Sequence, residues 1–178
     1  MNPAAAGGRS CCFTGHRIIA RDVREPLRNS LREVIGVLYE EGFRRFYAGG
    51  ALGFDTLAAE TVLEMREKLP ELSLIIVRPC ADQHLRWRKA DREVYLAQLD
   101  AADEVVLLSP AYWRGCMQVR NRYLVDHAEL CVAFGRREDS GTMQTVTLAL
   151  TAGIPVVNLA EDGIFPTAVE IRSEAQRD

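Results

Sequence analysis

The feature that most constrains this chain is where its polar and glycine-rich clusters fall. Each follows a short, nearly continuous apolar run and precedes a longer amphipathic stretch. The apolar runs at 10–14, 45–48, 73–78, 104–109, 130–134 and 155–159 predict strands buried on both faces. Val23, Leu27, Leu31, Val34, Ile35 and Leu38 form one helical stripe, and Ala58, Val62, Met65 and Leu69 form a second. Residues 82–102 predict one bent helix or two short ones, and weaker helical patterns run through 116–128 and 142–152. Strand and helix alternating in this way predict an α/β, Rossmann-like fold. Its sheet would be open and mostly parallel, of about six strands with helices on both faces. In such sheets ligands bind beyond the carboxyl ends of the strands, where strand order reverses. Clusters that follow strands therefore all collect at the ligand edge.

At about 150 residues per domain, 178 residues make one domain, placed at 10–165, with tails at 1–9 and 166–178. The formal charge of −3 argues against a general nucleic-acid binder, which carries a basic excess. No apolar run approaches a membrane span, and the opening residues lack a signal peptide's basic and apolar regions. A cytoplasmic protein is expected. Cys11, Cys12, Cys80, Cys116 and Cys131 are odd in number and irregular in spacing, which opposes a disulfide framework or a zinc site. Cys11, Cys12 and Cys131 read as small core hydrophobes. Cys80 and Cys116, in expected loops, read as inert because no base adjoins them. The histidines are too scattered to form a metal site, so none is expected.

The clusters have distinct chemistries. Gly49, Gly50 and Gly53 lead into a helix beginning near Asp55. They suggest a loop that lets a phosphate approach the backbone at a helix N-terminus. The loop is neither a P-loop nor a GxGxxG fingerprint, so neither a kinase nor a standard dinucleotide dehydrogenase is supported. Asp55 can accept from ribose hydroxyls or cap the helix. Ser140, Gly141 and Thr142 open a later helix in the same manner. Thr14, Gly15, His16 and Arg17 place a hydroxyl, an imidazole and a guanidinium directly after the first strand. Arg17 can pair with a phosphate and His16 with a base or sugar. Gln83 and Trp87, four apart on an expected helix, suit stacking on a nucleobase and hydrogen bonding to its edge, or simple packing on the sheet. Arg120 and Asn121, early in another helix, can serve a phosphate and a sugar together.

Thr14-Gly15-His16-Arg17, Gly49-Gly50-Ala51-Leu52-Gly53-Phe54-Asp55, Gln83 with Trp87, Arg120-Asn121 with Val125-Asp126, and Ser140-Gly141-Thr142 occur in this order. As a set they resemble the YpsA/YoqJ-like branch of the SLOG superfamily. Those Rossmann-like domains are related to the Lonely guy phosphoribohydrolases and to DNA-processing protein A. The resemblance runs from about Cys12 to Leu159 and implies a domain that senses or processes a nucleotide-derived ligand. ADP-ribose, NAD or a nucleoside phosphate would fit that description. Lonely guy enzymes carry a PGGxGTxxE segment whose glutamate takes part in cleaving the N-glycosidic bond. Here the Gly-Thr is kept, but Thr145 stands where the glutamate would be. Within the YpsA-like branch a glycine is commoner at the position of Ser140.

Three functions follow as expectations. The first is a nucleotide-ligand binding module. The second is an N-glycosidase or phosphoribohydrolase acting on a nucleoside monophosphate or an ADP-ribose derivative, with Asp55 or Asp139 in place of the missing glutamate. The third, disfavoured by the charge, is a nucleic-acid-associated scaffold. Related domains often dimerise through sheet-flanking helices, so a homodimer is expected.

Overall fold

In the computed structural model, residues 7–136 and 140–160 are described. The expected tail at 166–178, the end of the expected domain at 161–165, residues 1–6 and Asp139 lie outside them. Six strands alternate with five helices: β1 (Arg9–Gly15), α1 (Arg21–Glu40), β2 (Phe43–Ala48), α2 (Phe54–Arg66), β3 (Ser73–Arg78) and α3 (Lys89–Ala101). Then come β4 (Glu104–Leu107), α4 (Cys116–Asp126), β5 (Leu130–Phe134), α5 (Gly141–Thr151) and β6 (Val156–Asn158). The strands form one sheet in the order β4-β3-β2-β1-β5-β6, and every neighbouring pair is parallel.

The order is a physical consequence of two crossovers to opposite sides. From β1 the chain steps outward through β2, β3 and β4, then returns past β1 to lay down β5 and β6. Right-handed connections put helices on opposite faces when the direction of stepping reverses. One face buries Leu27, Leu31, Ile35 and Leu38 of α1 with Leu57, Ala58 and Val62 of α2 against Phe13, Phe46 and Ile76. The other buries Leu124 and Val125 of α4 and Ala149 of α5 against Cys12, Tyr47, Ile75 and Cys131. Alternate residues of β1 and β3 enter opposite cores, which is why these strands read as continuous apolar runs. The reversal lies between β1 and β5, leaving a crevice above their carboxyl ends.

Two local expectations change. Arg9 belongs to β1 rather than to a tail: its Nε donates to Glu129 at 2.9 Å and its guanidinium lies over the Phe43 ring. Residues 81–86 form turns instead of the start of a helix, with Leu85 N–H donating to Asp82 O and Trp87 N–H to His84 O. Arg88 is extended, so α3 starts only at Lys89.

The loop between β2 and α2 is pressed against the loop after β1. Phe54 N–H donates to His16 O at 3.0 Å. Gly53 has φ +78°, and a Cβ there would stand 2.4 Å from the Arg17 carbonyl and 2.5 Å from His16 O. Gly53→Ala therefore combines left-handed strain with a backbone clash, and should lower the unfolding free energy by about 2 kcal/mol or more. Gly141, at the exposed start of α5, has open space where its Cβ would be. Gly141→Ala should leave stability unchanged or raise it by up to about 1 kcal/mol. Urea titration of both variants checks the contrast.

Candidate functional site

The crevice at the strand reversal has a volume of about 340 Å³. The end of β1 and its following loop supply Thr14, Gly15, His16 and Arg17. The start of α2 supplies Asp55, α4 supplies Arg120 and Asn121, and the N-terminus of α5 supplies Ser140, Gly141 and Thr142. Ten residues singled out from sequence thus meet from four separate segments.

Arg120 forms much of the floor. It is only 6% exposed, its Nη1 donates to Gly49 O, and its Nε donates to Asn121 Oδ1 at 2.8 Å. Burial lowers its pKa, against the opposing pull of Asp55. Asp55 is also buried, and Oδ2 accepts the Ala51 N–H at 3.2 Å. Burial raises its pKa, and Arg120, the Ala51 N–H, Arg17 and the Gly49 N–H each pull it partly back. Both groups are committed to holding the floor together, and both still border the crevice.

His16 has a fixed role for one nitrogen. Its Nε2 accepts the Arg136 N–H at 2.7 Å, so in this geometry that nitrogen carries no proton. His16 N–H also continues the β1–β5 ladder to Phe134 O, at 3.0 Å. On the next strand, the Asn158 carboxamide accepts from Gly135 N–H and donates to Gly135 O. The exit of β5 is therefore pinned on both sides before α5 begins. Ser140 caps α5 by accepting the Met143 N–H at 3.2 Å. The first-turn N–H groups of a helix lack intrahelical acceptors and carry the positive end of its dipole. Arg17, exposed beside them, adds a full positive charge to the same opening.

Five predicted residues do not line this crevice. At Gly49, Gly50 and Gly53 the space a side chain would take is filled by the protein's own atoms. A Cβ on Gly49 would strike Arg120 Nη1 at 2.3 Å, and one on Gly50 would stand 3.0 Å from Tyr95. Three of the loop's polar groups are occupied as well: Gly49 O by Arg120, the Ala51 N–H by Asp55 and the Phe54 N–H by His16. Gln83 and Trp87 both turn to Tyr95 of α3, Gln83 by an Nε2 donation of 2.8 Å to the hydroxyl and Trp87 by edge contact. The expected Gln83–Trp87 helix face fails because residues 81–86 are turns.

Met117, Gln118, Leu124 and Gln144 line the crevice and were not anticipated. Gln118 and Gln144 sit within three residues of Arg120-Asn121 and of Ser140-Gly141-Thr142, which was the available signal. The cysteines take no part. All five are buried, and burial pushes the Cys80 thiol up to about 11, helped by its hydrogen bond with Asp82. His127 stacks on Tyr123, away from any ligand cluster. Among the described residues no three His, Cys, Asp or Glu side chains gather as a metal site, and no helix is long and apolar enough to cross a membrane.

The fold and the crevice define a Rossmann-like α/β domain with its opening at the strand reversal. The YspA SLOG family profile matches residues 20–152, and this chain belongs to that family. The SPbeta prophage-derived protein YoqJ of Bacillus subtilis is 32% identical over 140 residues, covering 69% of this chain and 80% of that protein. UPF0398 protein BH1768 of Halalkalibacterium halodurans is 31% identical over 105 residues, 58% of this chain, and the match spans 56% of that relative's length. Among solved structures, DNA processing protein A from Helicobacter pylori superposes with a TM-score of 0.65 at 19% identity, covering 98% of this chain and 82% of that one. The molybdenum cofactor carrier protein of Chlamydomonas reinhardtii gives 0.56 at 18%, covering 93% and 94%. At these identities the two structures establish a shared fold.

The raised pKa of Asp55 predicts a pH dependence. A carboxyl that holds its proton more tightly when folded favours the folded state at low pH, and that contribution is lost as pH rises through the folded pKa. The stability advantage of the wild type over Asp55→Asn should therefore shrink from pH 4 to pH 7. Urea unfolding of both proteins across that range measures it; an advantage that grows with pH would show that Asp55 is held ionised.

Proposed function

We propose that the crevice between β1 and β5 binds a phosphate-bearing small molecule. A nucleotide-derived compound such as ADP-ribose, NAD or a nucleoside phosphate is the class intended. The observation that carries this reading is the meeting of Arg17 and the N-terminus of α5 on one opening of about 340 Å³. A helix N-terminus and a guanidinium are complementary to the same anion, one through N–H groups and dipole, the other through a planar fork. Arg120 supplies background positive potential from the floor, and Asp55 and Asn121 offer partners to sugar hydroxyls. The volume falls within the range of small-molecule sites. Ligand binding also agrees with the company the fold keeps, since one structural relative carries the molybdenum cofactor. Another relative binds single-stranded DNA, and the net charge of −3 here favours the small molecule over that polymer.

A second reading, N-glycosidic hydrolysis, has one specific observation in its favour: Asp55 places a buried carboxyl against the crevice. Thr145 cannot replace the absent glutamate, because it is fully buried and its hydroxyl donates to Gly141 O at 3.1 Å. Among the described residues Asp55 is the carboxylate that lines the crevice, and it is the candidate general acid or base in this reading.

Thermal-shift measurements with ADP-ribose, NAD and nucleoside phosphates test the first reading, and mass spectrometry of the same mixtures tests the second. The wild type should be stabilised by at least one compound. Arg17→Ala should weaken that binding by about tenfold to a hundredfold, the value of one charge-assisted hydrogen-bonded pair, while its own melting temperature stays within a degree or two. Stabilisation undiminished in Arg17→Ala would contradict the assignment. Release of free base that disappears in Asp55→Asn would make the protein a hydrolase.

A further inference from the structure

Beside the crevice lies a second cavity of about 630 Å³, a groove between α4 and α5. Its apolar walls are Val119 on one helix and Met143 and Leu148 on the other. Val119 is 45% exposed there. The two cavities adjoin at Gln118 of α4 and Gln144 of α5, which line both of them. Their chemistries differ. The crevice is ringed by Arg17, Arg120, Asp55 and a helix N-terminus, whereas among the described residues Arg122 is the one charged residue lining the groove.

We infer that this groove takes the base of the ligand whose phosphate occupies the crevice, and that Gln118 and Gln144 select that base. The inference rests on the crevice being an anion site, as proposed above. An anion-accepting opening beside a mainly apolar groove matches a molecule with the same division: a sugar phosphate carrying an uncharged heteroaromatic ring. Such a ring gains by covering Val119, Met143 and Leu148, since the hydrophobic contribution follows the apolar area removed from water. Each carboxamide at the junction offers both a donor and an acceptor, the pairing that a base edge presents. Among the described residues no carboxylate lines the groove and Arg122 does, so a cationic ring such as an oxidised nicotinamide is disfavoured there. The ligand class is thereby narrowed to a nucleoside phosphate with a neutral base.

Calorimetric titration with AMP and with ribose 5-phosphate tests this, because the two share the phosphate and sugar and differ in the base. The wild type should bind AMP about tenfold or more tightly than ribose 5-phosphate. Val119→Asp, at an exposed helix position, should abolish most of that preference and leave the ribose 5-phosphate affinity within about twofold. Gln144→Ala, a second variant in case Val119→Asp folds poorly, should reduce the preference in the same direction. Equal wild-type affinity for the two compounds overturns the inference while leaving the crevice reading intact. So does a Val119→Asp protein that keeps the full preference, or that changes only from dimer to monomer on gel filtration, which would assign the groove to a second copy of the chain. Binding of neither compound by the wild type overturns this inference, and the crevice reading falls with it when ADP-ribose and NAD also fail to stabilise the protein.

Discussion

A buried guanidinium holds the crevice in place. Arg120 reaches from α4 to the carbonyl of Gly49 just after β2, close enough that a side chain at Gly49 would displace the guanidinium. Asp55, the second residue of α2, lies near enough to oppose the desolvation of that charge. This one arrangement therefore connects helices on opposite faces of the sheet across the end of its central strands. Burying a charge is costly unless it is hydrogen-bonded and electrostatically compensated, and removing one partner leaves the other exposed to the full cost. Crevice geometry and domain stability are consequently tied to the same few atoms.

The surrounding glycines make sense on that basis. In the sequence, Gly49, Gly50 and Gly53 have the composition of a phosphate loop, because the requirement for close approach is real. What approaches is the protein: Arg120 at Gly49, Tyr95 at Gly50, and the backbone of His16 and Arg17 at Gly53. Sequence shows that a position needs space and cannot show which atoms take it. At the start of α5, by contrast, Gly141 has open space around it.

The fold was legible because its signals are local and repeated. The runs at 73–78 and 130–134 coincide with β3 and β5, and the α1 stripe was readable since every fourth or third residue enters the same core. The point of strand reversal followed from general rules once the order β4-β3-β2-β1-β5-β6 was in hand. Much of the site was legible for a related reason: residues after parallel strands must share one edge. Gln83 and Trp87 were misplaced because an i, i+4 spacing implies a shared face only inside a helix. Here Asp82 is held by the Tyr112 N–H, and the chain turns through residues 81–86 before α3 begins. Gln118 and Gln144 escaped notice because an exposed glutamine on a helix has no composition signal; only the meeting of α4 and α5 gives the pair significance.

The proposed anion site lies at the β1–β5 reversal, on the loop after β1 and the first turn of α5, and not on the glycine loop after β2. An amide-resolved nuclear magnetic resonance titration with ADP-ribose addresses it most directly. Saturable shifts concentrated at residues 14–17 and 140–144 are expected. Shifts centred on residues 49–53 or 81–87 with those two segments unmoved would contradict it, as would a spectrum that does not change at all.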